Sequence, residues 1–115
     1  MTSPNEVSLR LAELSRMLQA ATIELAVADE DAVRTKQRYE VAFAKAFLSS
    51  EGSAEARKQS AVLAVENPRL DMEIAAAKLR AVRARIDTLK VQIDVGRSFG
   101  AALRAEIALT QAGAA

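Results

Sequence analysis

Residues 72–107 read MEIAAAKLRAVRARIDTLKVQIDVGRSFGAALRAEI. Within them Met72, Ala75, Leu79, Val82, Ile86, Leu89, Ile93, Gly96, Gly100, Leu103 and Ile107 are spaced alternately by three and four without a miss. Residues repeating every 3.5 positions stay on one side of an α-helix, so the stretch is a heptad seam, not a strand of period two. A seam of that length needs a second helix to cover it. The upstream half of the chain offers one: Val7, Leu11, Leu14, Leu18, Ala21, Leu25, Ala28, Ala32, Thr35, Tyr39, Ala42 and Ala46 follow the same alternation.

The punctuation between and around the seams fits this pairing. Ser3-Pro4-Asn5-Glu6 combines a capping serine, a proline suited to the first helical position and a glutamate that closes a capping box. Ser49-Ser50-Glu51-Gly52-Ser53 breaks the pattern, with Gly52 able to take a left-handed conformation and Ser53 able to cap a new helix. A short connection between two long helices implies an antiparallel pair. The expected fold class is therefore all-α: a long antiparallel helical hairpin, or coiled coil, with a break or kink at Asn67-Pro68, oligomerising into a helical bundle. The expected elements are helix 4–49, turn 50–53, helix 54–66 and helix 68–112, in a single domain over 1–115. With the turn near Gly52, facing residues should have numbers summing to about 103, which sets Leu11 near Ile93, Leu18 near Ile86 and Leu25 near Leu79. On that register residues 100–112 run past the first arm, and their apolar side chains want another chain.

Composition agrees with long helices. Half the residues are apolar, yet only Tyr39, Phe43, Phe47 and Phe99 are aromatic and there is no Trp. Much of the apolar content is Ala, which favours helix and lets helix axes approach closely but fills a globular core poorly. Net charge is +1, so no global field points to nucleic acid or membrane. The distribution is uneven: from Lys78 to Arg104 seven bases stand against Asp87 and Asp94 alone. No apolar run reaches the roughly 18 residues of a membrane span, and the N-terminus lacks a basic region and an apolar core like those of a signal peptide. The expected location is the cytoplasm.

Catalysis has little to work with. His and Cys are absent, which removes the commonest general base, the usual zinc ligands and a thiol nucleophile. Glu51-Gly52-Ser53 is too short for a phosphate loop and lacks a following Lys-Ser or Lys-Thr. Asp29, Glu30 and Asp31 are consecutive, so a helix spreads them to different faces. No enzyme, cofactor, metal or small-molecule substrate is expected.

Binding has more. With the seam lettered a and d and Leu79 at a, Arg83, Lys90, Arg97 and Arg104 all fall at e, while Lys78 and Arg85 fall at g. Three readings stay open: flanking charges whose stems cover the seam and whose heads pair with a neighbouring helix, a stripe contacting phosphates, or a surface for an acidic protein partner. Gly96 and Gly100 occupy successive seam positions, where each costs about 1 kcal/mol relative to Ala. They imply either a close helix approach or a flexible joint. Together with Phe99, Leu103, Ile107 and Leu109 they are the candidate oligomer contacts. Ile23, Val27, Val33, Val41, Ile74, Val91 and Val95 lie off the seam, so a lone hairpin would leave them exposed; a homo-oligomer is expected.

The run Gln37-Arg38-Tyr39-Glu40-Val41-Ala42-Phe43-Ala44-Lys45-Ala46-Phe47-Leu48, followed by Glu51-Gly52-Ser53 and Arg57-Lys58, resembles small helical proteins of bacteriophages and prophages. So does Val95-Gly96-Arg97-Ser98 leading to Leu103-Arg104-Ala105-Glu106. The resemblance covers about residues 35–110. It implies an accessory protein encoded among DNA recombination and replication genes, with a protein partner from that machinery or DNA itself. It supplies no catalytic residues. The competing expectation is a structural or assembly coiled coil, an adaptor or scaffold with no nucleic-acid role.

Overall fold

The computed structural model describes residues 2–114, and among these every regular element is helical: α1 Pro4–Ser49, α2 Ala54–Ala64 and α3 Glu66–Ala114. The fold is an all-α helical hairpin. The capping box forms as its residues dictate: the Glu6 amide donates to Ser3 Oγ at 3.2 Å, and the Ser3 amide donates to Glu6 Oε2 at 3.4 Å. At the turn Gly52 has φ 102°, a backbone region that a Cβ disfavours. Ser53 then caps α2, accepting from the Ala56 amide at 3.2 Å.

The interruption in the second arm lies at Val65, two residues ahead of Asn67. Pro68 is the cause, acting at a distance of one turn. It has no N–H to give the carbonyl of Ala64, four residues back, and its ring crowds that carbonyl. The helix yields at Val65 and restarts at Glu66, so Asn67 and Pro68 sit inside the first turn of α3, where amides lack intrahelical acceptors anyway.

The chain divides into two compact units. The terminal unit takes α1 up to Ile23 and α3 from Arg83 onward; the turn unit is Glu24–Val82. In the terminal unit Val7, Leu14 and Ala21 of α1 and Ile86, Leu89 and Ile93 of α3 are buried. A Cβ on Gly96 would lie 2.8 Å from Leu11 Cδ2, and one on Gly100 would lie 3.0 Å from Val7 Cγ1. Leu11 therefore faces Gly96 and Val7 faces Gly100, each pair summing to 107. The expected register of about 103, with Leu11 near Ile93, is corrected by one helical turn.

In the turn unit Ala61, Val65, Ala75 and Val82 are buried. Thr35 occupies a buried seam position at no polar cost, because its hydroxyl donates to the carbonyl oxygens of Asp31 at 2.8 Å and Ala32 at 3.2 Å. Tyr39 and Phe43 pack with ring centroids 6.3 Å apart. Arg57 clasps the turn: its guanidinium lies 4.9 Å from the centroid of Phe47 and donates to the Leu48 carbonyl at 3.4 Å. That carbonyl is at the negative end of α1, where a cation is favoured. Arg57→Ala is expected to lower stability by about 1–2 kcal/mol. Urea denaturation of Arg57→Ala, Phe47→Leu and the double variant checks this, and additive effects would show that the two residues do not act as a pair.

Candidate partner-binding surfaces

In the terminal unit α1 and α3 leave an open apolar groove of about 410 Å³. Val7, Leu11 and Leu14 supply one wall, and Val91, Val95 and Phe99 the other. The groove exists because seam position Gly96 brings no side chain, so Leu11 leans toward its backbone instead of meeting an opposing residue. Thr2, Glu6, Arg10 and Gln92 are its polar lining, and Arg10 is paired with Glu13 at 3.0 Å. A second hollow of about 590 Å³ lies between Thr2, Ser3 and Pro4 and the segment Leu103, Glu106, Ile107, Thr110 and Gln111. Thr2 lines both.

These neighbours correct the expectation that residues 100–112 lack a partner within the chain. The shifted register brings the start of the chain alongside them, half-burying Leu103. Phe99, Ile107 and Leu109 stay exposed. Gly96 and Gly100 serve close approach, not a joint, since α3 runs unbroken through both.

Arg83, Arg85, Lys90, Arg97 and Arg104 belong to the terminal unit and Lys78 to the turn unit, and all six are exposed. None of them lines either hollow. Arg104 folds back over the seam, with a guanidinium nitrogen 3.4 Å from the Cβ position of Gly100, as expected for a flanking side chain covering apolar surface. Arg83 and Arg85 are engaged in interactions of their own.

Sequence reading did not single out a basic hollow of about 410 Å³ in the turn unit, lined by Arg34, Gln37, Arg38, Val41, Ala42 and Lys45. Its signal was available as three bases on one face of α1, at Arg34, Arg38 and Lys45. Arg34 there is held by Glu30 at 2.7 Å, which takes one member of the acidic run into an ordinary surface pair. Among the described residues no group of three or more His, Cys, Asp or Glu side chains is placed to hold a metal ion, and no helix is long and apolar enough to cross a membrane.

The fold and these surfaces define an all-helical hairpin with open apolar grooves. Comparison with known protein families, curated proteins and solved structures finds no match for the chain.

Proposed function

We propose that the protein is a non-catalytic accessory module of the phage type, which self-associates and holds a helical segment of a DNA recombination or replication protein in the cytoplasm. The observation that supports this reading best is the groove in the terminal unit, whose walls are aliphatic and aromatic and whose rim carries both Glu6 and Arg10. An amphipathic helix laid into such a groove buries its apolar face and meets charges of either sign at the edges. The basic residues of α3 from Arg83 to Arg104 lie outside the groove, and Arg104 is spent on covering Gly100. That favours protein over DNA as the first partner. The adaptor reading, with no nucleic-acid role, shares the same groove and differs in what fills it.

The test is capture of a stoichiometric partner by the full chain, compared with two variants. Phe99→Glu places a charge in the groove wall at an exposed position, so it should abolish capture while leaving helix content unchanged. Replacing Arg83, Lys90, Arg97 and Arg104 by Gln should leave capture intact. If the Gln variant instead loses DNA binding, with its salt dependence flattened by roughly one log–log unit per contact, the stripe meets phosphate and the groove is not the primary site.

A further inference from the structure

The side of α3 away from its seam carries a second heptad pattern in the terminal unit. Ala84, Thr88, Val91, Val95, Ser98 and Ala102 alternate by four and three, and Ala105 and Leu109 continue the series. These are the c and f positions, all exposed and all uncharged. Val91, Val95 and Leu109 are 61, 62 and 75 % exposed. In a helix covered on one side only, these are the positions where charge normally concentrates. The corresponding face of α1 in the same unit is mixed, with Glu6, Glu13 and Arg16 set among exposed Leu9, Ala20 and Ile23. The charges of α3 in this unit fall instead at b, e and g, leaving an uncharged strip between them.

We propose that this face takes a second copy of the chain, with the two α3 helices antiparallel about a point between Gly96 and Arg97. The proposal rests on the self-association part of the reading above and specifies its surface, which shares Val91 and Val95 with the groove wall, so a second copy here and a partner helix in the groove compete for those two residues. Two copies facing each other with residue numbers summing to 193 place Leu109 on Ala84, Val91 on Ala102, Thr88 on Ala105 and Val95 on Ser98. Every layer then sets a leucine or a β-branched side chain against Ala or Ser, so bulk is matched by space and the helices can approach closely. The flanks agree. Flanking positions face each other two residues off the core sum, at 191 on one side and 195 on the other, so Arg85 comes opposite Glu106 of the second copy, Asp94 opposite Ala101 and Asp87 opposite Ala108, and no like charges meet. A slide by one heptad, to a sum of 186, sets Asp94 against Asp94. Parallel in-register packing stacks Ala on Ala and Leu on Leu and aligns no ion pair in this unit. Size and charge thus select the antiparallel arrangement with a second copy.

The chain has no Cys, so engineered pairs report geometry without background. The full-length protein should scatter light as a dimer, twice the 12.3 kDa of the chain. Oxidising a mixture of Ala84→Cys and Leu109→Cys should give a cross-linked dimer of one chain of each kind. Either variant alone should give none, because like positions lie roughly 37 Å apart along antiparallel helices at 1.5 Å per residue. Ala102→Glu, at an exposed position, should keep its helix content and weaken dimerisation at least tenfold. A wild-type monomer at tens of micromolar would overturn both this proposal and the self-association reading. A dimer that ignores Ala102→Glu, or in which Ala84→Cys cross-links to itself, would overturn the face or the orientation and leave self-association standing.

Discussion

Leu89→Ala should destabilise the protein by about 2–5 kcal/mol, the range for truncating a buried leucine. Leu89 is 3 % exposed, and its seam neighbours on α3, Ile86 and Ile93, are buried too. Alanine has the better helix propensity, so the local backbone adds nothing to the loss, and the cost is one of packing. The comparison that gives the number meaning is Lys90→Ala, one residue on. Lys90 is exposed beside the seam, and its removal should change stability by no more than about 0.5 kcal/mol. Urea denaturation of the two variants side by side decides this; equal effects would mean that the seam does not run through Leu89.

The second large effect comes from adding bulk. Ala61→Leu should cost about 1–3 kcal/mol through overpacking. Ala61 of α2 is 0 % exposed, and its methyl group fills the space available to it. Leucine suits a helix nearly as well as alanine, so a loss would again be tertiary. Thermal unfolding of Ala61→Leu beside Ala64→Leu, an exposed neighbour in the same helix, isolates the term. No difference between the two would show that α2 is loosely held and that small residues there are incidental.

The parts of this structure legible in the sequence are those decided by residues close together. The ends of α1 follow from Ser3, Pro4 and Glu6 at one end and from Gly52 and Ser53 beyond the other, because capping is a matter of two or three neighbouring amides. Both seams are legible because each position reports its own face: the first-arm residues from Val7 to Ala46 are all buried or half-buried, as are those of α3 from Met72 to Leu103. The break was legible too, and it forms two residues ahead of Asn67 because proline disturbs the carbonyl four residues behind it: Pro68 marks the fault and Val65 shows it. The register was off by a turn because the position of the turn alone does not fix which side chains meet at the far end of two long arms; that is decided by packing, as where Leu11 meets Gly96. The groove depended on that register. Gly96 is conspicuous in the sequence, but only its position opposite Leu11 makes it the floor of a hollow.

The groove and the outer face of α3 both require that the two arms of the terminal unit pair within one chain, with Val7 beside Gly100. Cysteines introduced as Val7→Cys with Gly100→Cys test this most directly, because a Cβ at 100 would lie within disulfide reach of residue 7. Oxidation at low protein concentration should give an intrachain bond in high yield, read as a faster-migrating monomer by non-reducing electrophoresis. The control pair Val7→Cys with Gly96→Cys, which matches a register summing to 103, should stay reduced. Preferential bonding of the control pair, or a cross-linked dimer in place of the closed monomer, would contradict the hairpin described above.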